Sequence, residues 1–406
     1  MRPYPPAVAP VDASSGAERI DRFAALRKVR FGRPPAVIVG AAGACGLGVL
    51  RSLHAAGIPV VLLDTNAAAP AMHSRQAYKV VVRALTGRAL IEDLLALRRC
   101  FEQAPVLFLT SDETALTVSQ YRAELAESYR IRLPPYDRLV ALMHKASFQQ
   151  LAEQHGFPVP RSVTINNAND LGTLDELRFP CIIKPTIKTA RYFESKFERG
   201  YRVASAAEAR EICGRVLVAV PGVVVQEWIE GPDSDIYFCL QYRAAGGTIA
   251  SFSGRKLSIW PPGVGVTASC TAAPEVHATL HQLTEAFFAK MSFEGMGSME
   301  FKRDARSGDF LMIEPTVGRI DWQEEVATLN GVNIPHAAYR HETGMDTERT
   351  SMAAAPVVWR DSWMHWKSGA ARTCAGRSAR VYGAYWRLND PAPALYRVLA
   401  GIMAFF

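Results

Sequence analysis

The first clear rhythm begins at Pro35, where an unbroken apolar run, Ala36-Val37-Ile38-Val39, gives way to glycine-punctuated sequence from Gly40 to Gly48 and then to helical spacing as far as about Ala56. A second apolar run, Val60-Val61-Leu62-Leu63, follows. Short continuous runs bounded by glycine predict strands buried on both faces, so this stretch predicts a βαβ unit with parallel strands. Val106 to Leu109 predicts a further strand, ending in Thr110-Ser111-Asp112-Glu113. Polar side chains at the carboxyl end of a parallel strand stand where such sheets meet ligands. A helix is expected from about Asp137 to His155, after which the pattern turns to β runs parted by Gly and Pro. They are Cys181 to Lys184, Gly222 to Ile229, Ile236 to Tyr242, Thr248 to Leu257, Gly297 to Arg303 and Phe310 to Glu314, which predict α+β layers with antiparallel sheets.

The flanks differ from this middle. Residues 1 to about 34 are Pro- and Ala-rich with a short basic stretch (Arg22, Arg27, Lys28, Arg30), which predicts a poorly ordered leader. Beyond about Thr350, four of the seven tryptophans lie between Trp359 and Trp386, and residues 351 to 390 hold six basic against two acidic side chains. This predicts an appended C-terminal segment. Its tail, Ala392 to Phe406, is apolar but interrupted by Tyr396-Arg397; docking on the protein's own surface is expected, with peripheral membrane contact as the alternative.

A chain of 406 residues exceeds one ordinary core, so two or three packed units are expected. Hydrophobic residues at 49% and charged ones at 21% fit a folded globular protein. The net charge of +7 is mild and spread out, suiting anionic substrates and not demanding nucleic acid. Seven cysteines, at 45, 100, 181, 213, 239, 270 and 374, form no CxxC pair, as expected of reduced thiols in a cytoplasmic protein. Met1 to Pro10 lacks the pattern of a secretory signal, and no stretch reaches the length of a membrane span.

The stretch Gly297 to Glu314 reads as a hairpin with a polar turn between Asp304 and Asp309. A register that sets Phe301 opposite Ile313 on the buried face sets Glu300 opposite Glu314. Two carboxylates about 5 Å apart repel by roughly 3 kcal/mol at an effective dielectric of 20, so the pair calls for a shared proton or a cation. Hard oxygen ligands suit Mg²⁺, with phosphate completing its shell. Lys145 begins an amphipathic helix, and Lys184 ends an apolar strand before Pro185. A strand-end ammonium is stabilised by an anion such as phosphate. Gln226-Glu227-Trp228-Ile229 runs out into Gly231-Pro232-Asp233, a plausible adenine edge followed by an acid for ribose hydroxyls.

In this order, lysine, second lysine, strand with turn acid and carboxylate hairpin, the chain resembles the ATP-grasp superfamily over about residues 35 to 345. It looks most like the carboxylate–amine ligases of amino-acid, peptide and bacterial surface-polymer pathways. The resemblance implies a leader (1–34), a βαβ pre-ATP-grasp domain (35–135), an ATP-grasp domain (136–345) whose lid spans about 160–225, antiparallel sheets gripping ATP, and a C-terminal segment (346–406). Lys145 and Lys184 match the phosphate lysines, Gln226, Glu227 and Ile229 the adenine hinge, Asp233 the ribose acid, and Glu300 and Glu314 the carboxylates for Mg²⁺ or, alternatively, Mn²⁺. Arg255, Lys256 and Arg319 follow strand ends and are assigned to the γ-phosphate or the acceptor carboxylate.

Three departures stand out: His144 where an acid is common, Thr316 where a metal-binding Asn is usual, and a lid with Lys188, Arg191, Lys196 and Arg199 but only Gly200 in place of several glycines. The implied activity joins a small-molecule carboxylate to an amine with ATP, in a monomer or homo-oligomer. Alternatives are a nucleotide-binding regulator and, from Gly40-Ala-Ala-Gly43-Ala-Cys-Gly46 with Asp64, an NAD-dependent oxidoreductase.

Overall fold

The computed structural model describes residues 22–41, 43–186, 192, 194–195, 197–198, 200–346, 351–353, 355–370 and 379–403. Three sheets organise it. The first is parallel, in the order β3 (Tyr78–Val81), β2 (Val60–Asp64), β1 (Ala36–Val39), β4 (Val106–Leu109). Alternate residues face opposite cores: Val37, Val39, Val61 and Leu63 pack with the helix Gly87–Arg98, while Ile38 and Leu62 pack with the helix Ala44–Ala55.

The second sheet has seven strands, ordered β13 (Phe310–Val317), β12 (Gly295–Arg303), β9 (Ile236–Ala244), β10 (Gly247–Trp260), β11 (Val266–Ala272), β14 (Val358–Arg360), β15 (Val381–Gly383). All its pairs are antiparallel except β14 with β15. Its interior strand β9 is buried at every residue. The third sheet, antiparallel β5 (Ser162–Ile165), β8 (Val223–Glu227), β6 (Cys181–Pro185), β7 (Tyr201–Val203), carries the helix Ala206–Val216 and has its own apolar cluster around Ile183, Val225 and Cys213.

The structure changes four expectations. Residues 22–34 are not loose, because Phe23, Leu26 and Phe31 are buried against the first sheet's core. The helix expected over 137–155 is two, Tyr136–Met143 and Lys145–Gln154. His144 separates them with extended backbone (φ −81°, ψ 118°), and its Nδ1 accepts the Ser147 N–H at 3.3 Å as a helix cap. The C-terminal segment is built into the fold, since β14 pairs with β11 and Arg51 donates to Ala384 O and Tyr385 O, both at 2.8 Å. Finally, Phe301 faces Met312, not Ile313.

Trp359 on β14 is fully buried, with its indole N–H on Glu325 at 3.1 Å. Trp359→Ala is therefore expected to destabilise the whole protein by about 3 kcal/mol or more, through the cavity and the lost indole hydrogen bond. Urea unfolding checks this; a midpoint unchanged from wild type would mean that the segment is an appendage after all.

Candidate active site

A cleft of about 540 Å³ opens between the three sheets. Strand alternation decides which side chains enter it. On β12 every second residue, Ser298, Glu300 and Lys302, lines the cleft, while Met299 and Phe301 are buried in the core behind. On β6 the same rule delivers Ile182 and Lys184, and on β10 it delivers Lys256.

Glu300 pairs directly with Glu314 across β12 and β13, as the hairpin reading expected. The register then slips by one residue, because Ile313 bulges from β13. A bulge lets consecutive residues share a face, and both Ile313 and Glu314 line the cleft while Met312 stays in the core. The two carboxylates are neutralised by lysines: Lys256 pairs with Glu300, and Lys145 with Glu314. Lys145 reaches the cleft from the first turn of its helix, which the break at His144 aims there. Burial, and secondarily the Lys145 charge, push His144 below the usual imidazole range, which suits an Nδ1 that accepts a bond.

The cross-strand pair fits a divalent cation. Among the described residues no group of three or more His, Cys, Asp or Glu forms a metal cluster by protein alone. Two carboxylates completed by phosphate oxygens and water are an ordinary Mg²⁺ ligand set.

Neighbouring positions on β12 grade the cleft from one end to the other. Lys302 lies over the indole of Trp228 at 4.8 Å, beside the hinge that ends β8. Burial pushes its ammonium below the usual lysine range, opposed by Asp233, Asp235 and Glu230. About 7 Å further on, at two residues' rise, come Glu300 and Glu314. Another such step reaches Ser298, whose hydroxyl donates to Asp321 at 2.7 Å. Asp321 also accepts the Trp322 N–H at 2.7 Å and the Gln323 amide at 3.2 Å. Arg319 closes this end by pairing with Asp112 at the carboxyl end of β4. Burial disfavours the Arg319 charge, but Asp112 and Asp321 hold its pKa above the ordinary arginine value.

Most of the residues expected from sequence converge here: Lys145, Lys184, Gln226, Glu227, Ile229, Lys256, Glu300, Glu314, Thr316 and Arg319 all line the cleft. Arg255 does not. It is next to Lys256 on an extended strand, so it faces the other way, into a hollow with Pro232, Asp233 and Leu257. Asp233 shares that outer hollow and accepts the Gly263 N–H at 3.1 Å, which ties the hinge turn to a cleft-lining loop. The Glu227 carboxylate is committed to Arg178, taking its backbone N–H and its guanidinium, both at 2.9 Å. Lys188 and Lys196, with Arg191 and Arg199, lie outside the described residues. Ser298, Lys302 and Asp321 were missed. Alternation from Glu300 gives the first two, whereas Asp321 sits in a loop and has no such signal.

The first sheet meets the cleft at Cys45, Thr110 and Ser111. Its glycine loop is closed by protein. The Thr110 hydroxyl donates to Val39 O at 2.8 Å and crowds Gly40, and a Cβ on Gly43 (φ +99°) would stand 2.8 Å from the Trp322 ring. Asp64 is buried and accepts the N–H groups of Ala41 and Asn66 at 2.6 and 2.8 Å. A loop covered in this way, with its acid turned inward, does not present the phosphate and ribose contacts of a dinucleotide site. Burial raises the Cys45 thiol, which donates to Ile320 O at 3.4 Å, so this cysteine is no thiolate nucleophile.

No family model matches the sequence. Over 242 residues the chain is 26% identical to a D-aspartate ligase of Enterococcus faecium, covering 56% of each protein, so it spans little more than half the length of that relative. In fold it is similar to N5-carboxyaminoimidazole synthetase from Staphylococcus aureus complexed with ADP, with a TM-score of 0.61, 15% identity and 82% of both chains covered. It is also similar to the biotin carboxylase domain of Hydrogenobacter thermophilus 2-oxoglutarate carboxylase with MgADP and bicarbonate, with a TM-score of 0.62, 16% identity, and 80% of this chain and 73% of that one covered. A parallel N-terminal sheet, a small antiparallel sheet and a large antiparallel sheet meeting over one cleft are the architecture shared with these structures, so the chain has the ATP-grasp fold.

Proposed function

We propose that the chain is an ATP-dependent ligase joining a small-molecule carboxylate to an amine. The supporting observation is the gradation along β12, from Lys302 and Trp228 through the Glu300–Glu314 pair to Ser298, Asp321 and Arg319. A nucleotide laid along it has its base at the end of β8, where Gln226 to Ile229 line the cleft, and its phosphates at Lys184, Lys145 and Lys256. The end beyond the γ-phosphate is left for the acceptors. Glu300 and Glu314 would hold Mg²⁺, which neutralises charge on the β- and γ-phosphates.

The reaction needs two displacements. A carboxylate oxygen of the substrate attacks the γ-phosphorus, the bond to the bridging oxygen breaks, and ADP leaves. The amine then attacks the acyl carbon, phosphate departs with its electron pair, and the nitrogen loses a proton. The protein positions the reactants and neutralises charge. Lys145 and Lys256 pair with these carboxylates and would transfer to phosphate oxygens when the nucleotide binds.

The direct test is incubation with Mg-ATP and a library of carboxylates and amines, measuring ADP, phosphate and the coupled product. No substrate-dependent ADP formation across the library, with ATP binding intact, would leave a nucleotide-binding regulator instead. Lys184 should hold phosphate in both ground and transition states. Lys184→Ala is expected to weaken ATP binding tenfold or more, about 1.4 kcal/mol, with a further loss in kcat. Unchanged affinity by calorimetry would make that lysine structural.

A further inference from the structure

The helix Ala392–Met403 is mounted the wrong way round for a surface helix. Its charged residue faces the protein: Arg397 pairs with the buried Asp361 at 2.8 Å and lies 3.7 Å over the Tyr385 ring. Pro393 is buried beside it, and Tyr396 stacks on His73. The outer face carries Leu395, Val398 and Leu399, exposed by 55, 60 and 54%. That is an apolar stripe at the spacing i, i+3, i+4, turned toward solvent.

The stripe belongs to a larger surface. Asp361, the residue that Arg397 holds, caps the short helix Ser362–Lys367, so the two helices adjoin. That helix exposes Trp363 and Trp366, by 45 and 67%, with the Lys367 ammonium about equally close to both rings, at 5.1 and 5.2 Å. Trp386 and Leu388, exposed by 51 and 91%, lie just before the long helix. Single exposed apolar residues are ordinary, but a run of this kind at one end of the molecule marks an interaction surface.

Charge selects the partner. The acidic residues described between Val358 and Met403, Asp361 and Asp390, are 1 and 0% exposed. Asp390 accepts from Ser74 at 2.9 Å and from the Arg75 N–H at 3.2 Å, and it pairs with Arg51. The exposed charges nearby are basic: Arg75 and Lys79, which follow the His73 that Tyr396 stacks on, and Arg380 beside β15. Among the described residues no helix is long and apolar enough to cross a membrane. Indoles, branched aliphatic side chains and peripheral Lys and Arg are the composition of a surface that lies in the headgroup layer of an anionic bilayer.

We propose that this end of the protein docks on an anionic lipid surface, with Leu395, Val398, Leu399 and the three exposed indoles at the headgroup level. The inference does not depend on the ligase reading. Flotation of the full chain with vesicles of phosphatidylcholine, with and without phosphatidylglycerol, tests it. The protein should float with the phosphatidylglycerol vesicles, release as salt rises, and show a blue-shifted tryptophan emission. Leu395→Ser combined with Leu399→Ser should cut the bound fraction about tenfold while leaving ATP binding and the thermal midpoint unchanged, since both residues are exposed. Arg75→Glu with Arg380→Glu keeps the stripe intact and should remove the preference for anionic vesicles. Absence of flotation would overturn the proposal, as would flotation that both double variants retain. A wild-type dimer that the serine variant converts to monomer, without vesicle binding, would assign the stripe to a second copy of the chain and equally overturn it.

Discussion

Glu314→Gln is expected to lower turnover about a thousandfold, some 4 kcal/mol of transition-state stabilisation, while leaving the fold intact. The amide keeps the shape of the side chain but would remove one anionic ligand from the proposed Mg²⁺ pair, leaving the β- and γ-phosphate charge less neutralised as ADP departs. Two changes in the resting protein oppose each other. The Lys145 ion pair is lost, but Glu314 is 52% exposed and such pairs are worth about 0–1 kcal/mol. The repulsion from Glu300 directly opposite is lost as well. The melting temperature should therefore move little, which separates a catalytic defect from an unfolded one. Activity within about threefold of wild type at saturating Mg-ATP would remove the metal assignment from this hairpin.

The hairpin was legible because its information is local. Alternating polar and apolar residues on both sides of a polar turn determine which side chains share a face, and Glu300 opposite Glu314 follows from that alone. The Ile313 bulge has no compositional signature; it satisfies the core, which takes Phe301 and Met312 together. Alternation also argues against Arg255, since adjacent residues of a regular strand face opposite ways, and Lys256 is the one that enters the cleft. The break at His144 was missed because imidazole is an uncommon cap and the apolar spacing continues on both sides of it. The strands β14 and β15 are three residues each, too short for a period, and only the large sheet gives them a partner. Asp321 and Arg319 acquire their setting from Ser298 and Asp112, 23 and 207 residues away in sequence. No window on the sequence contains those pairs.

Asp321 carries the second large expectation, because under the proposed ligase reaction it lies at the end of the cleft left for the amine. An amine enters from water as an ammonium ion and must lose a proton before it can attack the acyl phosphate. The Asp321 carboxylate, held by Ser298 two residues along β12 from Glu300, would attract that ion and accept its proton. Three donors, from Ser298, Trp322 and Gln323, fix Asp321 in place, and the Arg319 guanidinium stands near it. In Asp321→Asn the amide oxygen can still accept the Trp322 N–H, and the Ser298 hydroxyl can turn to accept from the new NH₂. The local cost should be about 1 kcal/mol, mostly from facing the Gln323 donor. The chemistry should split. Coupling to an amine is expected to fall about a hundredfold, chiefly through the amine KM, whereas formation of the acyl phosphate should persist within about threefold. Hydroxylamine distinguishes the halves, since it is uncharged at neutral pH and needs no carboxylate to attract or deprotonate an ammonium ion. Trapping by hydroxylamine should survive in Asp321→Asn while coupling to the natural amine fails. If trapping and coupling fall together, Asp321 supports the phosphoryl transfer, and the amine is received elsewhere in the cleft.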